Sequence, residues 1–243
     1  MSSGVAVAAP PPRPSVLLIG DSLTQRGTDP DNAGWISLLQ HRYHRSADII
    51  SRGLSGYNTK WFIEAALPVI DHELSSASCS PALITLWLGA NDAALPDGDS
   101  ARQHVPLATY AANLTEIVRA FQVTAPEASI LLITPPHVDD AVRQTGSHSG
   151  RAERTNAVAG EYARSCVEVA HELGISVLDL HSFFNAMSVT DRAACLEDGL
   201  HFSARGNRLV DEQLRAKIAT AFPELERRLN AWQLPNFHIW MDE

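Results

Sequence analysis

Short runs of branched apolar residues alternate along the chain with longer stretches whose apolar positions recur every three or four residues. The first run, Ser15–Gly20, is bounded by Pro14 and by Gly20-Asp21, as expected of a strand buried on both faces. Similar runs at Ala47–Ser51, Ala82–Leu88, Ser129–Thr134 and Ser176–Leu180 predict four more strands. Helical periodicity fills the gaps. Trp35, Leu38, Leu39 and Tyr43 share one face of a segment over Gly34–Tyr43, and Leu107, Tyr110, Ala111, Leu114, Ile117, Val118 and Phe121 form a wide apolar stripe. A helix over Trp61–Leu74 should kink or split at Pro68, which has no N–H and crowds the preceding turn. Asn156–Leu173, closed by Gly174 as C-cap, and Ala204–Phe222 supply two more helices.

Strands alternating with helices predict an α/β fold, a three-layer α/β/α sandwich with a five-stranded parallel sheet and right-handed crossovers. No repeat or linker divides the pattern. The expected organisation is a flexible leader at 1–14 and one domain over 15–243. In such sheets ligands bind at the carboxyl ends of the strands, so the residues that follow each run carry the functional question.

Composition narrows the classes. Hydrophobic residues at 45% and charged residues at 19% are ordinary for a globular chain. A formal charge of −9, with Lys and Arg scattered, argues against a nucleic-acid partner. Cys79, Cys166 and Cys195 lie far apart, without the spacing of a zinc site or a disulfide framework. The N-terminus lacks a basic region and an unbroken apolar core, so it does not read as a secretory signal. No apolar run approaches the ~20 residues of a membrane span. The expectation is a cytoplasmic protein.

Four segments then stand out. Gly20-Asp21-Ser22-Leu23 follows the first strand; Ser51-Arg52-Gly53-Leu54-Ser55-Gly56-Tyr57-Asn58 follows the second; Gly89-Ala90-Asn91-Asp92 follows the third; Asp198-Gly199-Leu200-His201 precedes the last helix. A hydroxyl, an imidazole, a carboxylate and several donors thus gather at one sheet edge, which is what acyl transfer requires. In their order and wording these segments resemble the signature blocks of the SGNH (GDSL-type) hydrolases. RGLSGYNT, LGAND and DGLHFSARGN are closer still to the isoamyl acetate-hydrolysing esterase-like branch.

The resemblance implies a flavodoxin-like sheet and a triad of Ser22, His201 and Asp198. It also implies an oxyanion hole made by the N–H of Ser22, the N–H of Gly53 and the side-chain amide of Asn91. The roles make chemical sense. A serine hydroxyl needs a base to take its proton, an imidazole serves near neutral pH, and a carboxylate fixes the imidazole tautomer. Two residues three apart can turn both side chains to one side, and a glycine lets substrate approach the backbone.

Each residue has a plainer reading. Ser22 could only cap a helix, Gly53 and Gly56 could be turn glycines, Asn91 could hold an Asx turn, and His201 could be structural. A second Gly-Asp-Ser at 98–100 lacks a preceding strand and reads as turn chemistry. It is the concurrence of four segments that favours the catalytic reading. Asp179 is a rival orienting carboxylate, and His41 and His44, spaced as a ligand pair but without a third ligand, read as solvated surface histidines. No G-x-S-x-G elbow or phosphate loop occurs.

Pro135–Arg154 reads as a long polar loop that edges the substrate pocket, with His137 and Val138 nearest. The aromatic tail Trp232–Trp240 fits packing on its own core or on a second copy of the chain. The expected activity is hydrolysis of small acetate-type esters through an acyl-enzyme on Ser22, with no metal or organic cofactor. Its rivals are a deacetylase, thioesterase or lysophospholipase on the same fold, or a non-catalytic binding protein.

Overall fold

The five apolar runs form five parallel strands in the order β2-β1-β3-β4-β5. The computed structural model describes residues 13–76, 80–146, 150, 152–234 and 237, so most of the expected leader lies outside it, as do Cys79 and much of the aromatic tail. β1 (Ser15–Gly20) leads into α1 (Ser22–Gln25) and α2 (Trp35–Tyr43), followed by β2 (Asp48–Gly53). Next come α3 (Thr59–Trp61), a π-helical turn at Phe62–Ala66, α4 (Leu67–Ser75) and β3 (Pro81–Trp87). The chain continues through α5 (Leu107–Thr124), β4 (Ser129–Ile133), α6 (Asp140–Thr145), α7 (Asn156–Glu172) and β5 (Ser176–Leu178). It closes with α8 (Leu180–Asn185), α9 (Val189–Ala193), α10 (Ala204–Ala221) and α11 (Pro223–Asn230).

Strand alternation sorts the core into two halves. Val16 and Leu18 of β1, Leu83 and Trp87 of β3, and Leu131 and Ile133 of β4 face α2, α10 and α11. Leu17, Ile19, Ile84, Leu86, Ile130 and Leu132 face α4, α5 and α7. Each such side chain contributes ~1.5–3 kcal/mol when fully buried. Neither half therefore survives a register slip, which would send every side chain to the wrong face.

Pro68 acts at a helix boundary. It sits in the first turn of α4, where a missing N–H costs nothing, and the backbone before it widens into the π-helical turn. The segment Pro135–Arg154 is not wholly loop: it contains α6, capped by the Asp139 carboxylate, which accepts from Val142 N at 3.2 Å. A helix of six residues is too short to show periodicity, and α8, α9 and α11 escaped the sequence reading for the same reason. Among the described residues no helix is long and apolar enough to cross a membrane.

Candidate active site

Close packing at the end of β1 presents Ser22. A Cβ on Gly20 would lie 2.2 Å from Thr24 Oγ1 and 2.6 Å from Trp87 O, so only glycine lets the chain turn there. Asp21, fully buried, caps α1 by accepting from Leu23 N at 2.9 Å, and Trp35 Nε1 pins Leu23 O at 3.0 Å. Ser22 is the first residue of α1, so its N–H has no acceptor within the helix.

Across from it, the turn Asp198–His201 is built around one carboxylate. Asp198 Oδ1 accepts from Leu200 N at 3.0 Å and His201 N at 2.8 Å, while Gly199 takes φ +82°, a conformation suited to glycine. Gly199 O accepts from Asp139 N at 2.9 Å, which ties the turn to the segment after β4. Asp198 Oδ2 then accepts from His201 Nδ1 at 2.7 Å, leaving Nε2 to accept from Ser22 Oγ at 2.9 Å. Burial raises the Asp198 carboxyl, but the hydrogen bonds from the ring and backbone of His201 outweigh it and hold the group well below the usual carboxylate range. The carboxylate therefore stays charged and the imidazole keeps its proton on Nδ1. Such a chain can move the hydroxyl proton to Nε2.

Asn91 follows β3 and is 3% exposed. Its Nδ2 donates to Tyr57 O at 2.8 Å, and its Oδ1 accepts from Arg154 Nη2 at 3.0 Å. Asp92 beside it accepts from Thr59 N and Thr59 Oγ1, which fastens the end of β3 to α3. Burial pushes the Asp21 and Asp92 carboxyls up, to about 7 and about 6.

A cavity of about 250 Å³ opens at Ser22, walled by His201, Leu200, Asn91, Gly56, Gln103, Arg143 and Arg154 among others. Gly53, the expected backbone donor, is not on that wall. It ends β2 against α1, where a Cβ would lie 2.2 Å from Gln25 N, so its need for glycine is one of packing. Gly56 lines the cavity instead, in a turn with φ +82°. Both glycines stand in one segment, and the pattern alone did not say which one meets the cavity.

His137 and Val138 are likewise displaced from the expected place. Both are buried; His137 Nε2 donates to Arg192 O at 2.9 Å, and the ring packs on Phe184 with centroids 4.7 Å apart. They line a separate cavity of about 460 Å³ with Asn156 and Arg192. Among the described residues of this segment, those that line the cavity at Ser22 are Arg143, Glu153 and Arg154, all charged and easily read as solvated loop. Arg143 Nη1 donates to Asp198 O at 3.2 Å and lies 3.7 Å from Asp198 Oδ2. Glu153 pairs with Arg143 and accepts from Ser100 Oγ.

The other candidates serve the fold. Asp179 caps α8 and accepts from Thr134 Oγ1, so it is not the partner of His201. His41 and His44 stack with ring centroids 6.3 Å apart, and no group of three metal-ligating side chains occurs among the described residues.

Comparison with known proteins agrees with this architecture. The model of the GDSL-like Lipase/Acylhydrolase family matches residues 18–209. A GDSL esterase/lipase of Arabidopsis thaliana is 40% identical over 213 residues, 85% of this chain and 86% of its own. The isoamyl acetate-hydrolyzing esterase 1 homolog of Bos taurus is 37% identical over 236 residues, 96% of this chain and 92% of its own. Among solved structures, a lipase/acylhydrolase from Enterococcus faecalis superposes with TM-score 0.61 at 24% identity, covering 85% of this chain and 96% of that one. An acetyl xylan esterase gives TM-score 0.66 at 18% identity over 84% of this chain and 99% of its own.

Proposed function

The chain belongs to the GDSL-like lipase/acylhydrolase family, and on that premise we propose that it hydrolyses small carboxylic esters of short-chain acids through an acyl-enzyme on Ser22. The observation that carries this reading is the unbroken chain from Asp198 through His201 to Ser22, with contacts of 2.7 and 2.9 Å. His201 Nε2 takes the Ser22 proton as Oγ attacks the ester carbonyl, and the imidazolium is held by Asp198. The oxyanion receives the N–H of Ser22, the N–H of Gly56 and the second Nδ2 hydrogen of Asn91. His201 then protonates the leaving alcohol, and a water activated by the same ring releases the acid.

Gly56 takes the donor role here because it, and not Gly53, faces the cavity. Two facts favour small substrates. The cavity at Ser22 holds about 250 Å³, at the small end for ligand pockets. Several relatives over most of the chain are named for isoamyl acetate.

Hydrolysis of p-nitrophenyl acetate, butyrate and octanoate tests the proposal. Acetate and butyrate are expected to turn over, octanoate to lag by tenfold or more (~1.4 kcal/mol of discrimination), and Ser22→Ala to be inert on all three. Octanoate turned over as fast as acetate would overturn the size argument. Turnover that persists in Ser22→Ala would overturn the nucleophile.

A further inference from the structure

Several groups around the cavity meet at one guanidinium. Arg154 is 3% exposed and comes from the segment between α6 and α7. Its Nε donates to Ala90 O at 2.8 Å and its Nη2 to Asn91 Oδ1 at 3.0 Å, while Nη1 lies 2.9 Å from Glu153 Oε1. Nη2 also donates to Gln103 Oε1, and Gln103 Nε2 in turn donates to Gly56 O at 3.2 Å. One cation thus touches the backbone before Asn91, the amide of Asn91 itself, and, through one glutamine, the turn that carries Gly56.

We propose that Arg154 is the positioning residue of the oxyanion site, fixing which way the Asn91 amide faces and anchoring the Gly56 turn through Gln103. The proposal rests on the reading of Asn91 and Gly56 as oxyanion donors. Hydrogen-bond polarity fixes the amide. A guanidinium has five donors and no acceptor, so the side of Asn91 that faces it must be the carbonyl oxygen. Nδ2 is thereby sent to the opposite side, where one hydrogen goes to Tyr57 O and the other is left for the reacting oxygen. Turning the amide over would set NH₂ against a cation and Oδ1 against the Tyr57 carbonyl, two repulsive contacts at a residue only 3% exposed.

The planar fork also explains why arginine stands here. It reaches Ala90 O, Asn91 and Gln103 in one plane, whereas an ammonium offers a point charge without that fixed geometry. A cation so buried needs partners, and Glu153 supplies the charge, itself steadied by Arg143 and Ser100. Burial lowers Arg154 to about 10, which leaves it charged at neutral pH.

The test is steady-state hydrolysis of p-nitrophenyl acetate by the full chain, comparing wild type, Asn91→Ala, Arg154→Met, Arg154→Lys and the double variants. Asn91→Ala is expected to lower kcat by ~10²-fold, the usual cost of an oxyanion donor. Arg154→Met should lower kcat by ~10-fold or more with KM within about twofold, because the interaction it supports exists only in the transition state. In the Asn91→Ala background the same change should cost at most about threefold, since the amide it orients is gone.

A loss that multiplies fully in the double variant, a change confined to KM, or an unaltered kcat would each overturn the proposal. If Asn91→Ala leaves kcat unchanged, the oxyanion reading fails and the inference goes with it; if only the coupling is missing, the inference alone fails. Should Arg154→Met not fold, Arg154→Lys decides. A wild-type kcat for that variant overturns the proposal, and a kcat loss that disappears in the Asn91→Ala background supports it.

Discussion

The tripeptide Gly-Asp-Ser occurs at 20–22 and again at 98–100, and both serines border the same cavity. The first copy closes a central strand: Gly20 is hemmed by Thr24 and Trp87, Asp21 is buried as a helix cap, and Ser22 lies 2.9 Å from an imidazole. The second copy belongs to a surface loop. Asp99 is exposed, Gly98 rests on the backbone of Glu153, and the Ser100 hydroxyl donates to the Glu153 carboxylate. A hydroxyl that donates its hydrogen bond to a carboxylate in a charge cluster steadies that cluster, whereas one that donates to an imidazole nitrogen has a base beside it. The tripeptide supplies a hydroxyl; its neighbours decide what the hydroxyl does.

Substitution at matching positions sharpens the contrast. Ser22→Ala should lower kcat by at least ~10⁴, while Ser100→Ala should cost no more than about fivefold. A fluorophosphonate probe followed by peptide mapping checks the same point, and label found on Ser100 would erase the distinction.

Next in size is the carboxylate that makes the first hydroxyl different. Asp198→Asn should lower kcat by ~10⁴, since the amide no longer holds the productive tautomer. In the wild type Asp198 is already ionised far into acid, so its own titration does not shape the rate profile between acid and neutral pH. Activity should rise with pH as the imidazole loses its proton, and a flat profile from acid to neutral would show that His201 is not the base.

The smallest effect compares the two aspartates. The folded-state value of Asp21 lies at about 7 against an ordinary 3.8, so between those values the folded chain binds more protons than the unfolded chain. Its contribution to stability is present at acid pH and is lost as pH rises towards 7. Asp21→Asn keeps a capping oxygen and removes the buried charge. It should raise Tm at pH 8 by roughly 2–4 °C, with a smaller gain at pH 5. Thermal unfolding in both buffers checks this; the burial behind it belongs to Asp21, since Asp99 is exposed.

The strands were legible because branched apolar runs between turn residues leave few alternatives, and the sheet order came with the resemblance. Ser22, His201 and Asn91 were legible because each follows a strand or precedes a helix in a short, distinctive segment. Arg154 was not. Its importance lies in contacts with Asn91 and Gln103, 63 and 51 residues away, and nothing in RAER distinguishes a buried cation from a solvated one. Gly53 and Gly56 show the same limit at close range, since both satisfy the pattern and only the turn geometry places Gly56 on the cavity. His137 was misplaced because chain proximity to a strand end does not say which side of the segment faces the nucleophile.

The hydrogen bond between Ser22 and His201 spans 179 residues of sequence. On the ribosome Ser22 therefore emerges with the turn at 198–201 still unmade, and its hydroxyl lacks the imidazole partner until that turn has been synthesised and docked. Contacts of such separation are slow to form, because loop closure precedes any reward from packing. In refolding, ester turnover should recover no earlier than the last long-range contact, well after helical signal returns. On the proposed mechanism a nascent or half-folded chain carries no acylating capacity, and returning activity becomes a clock for completion of the fold.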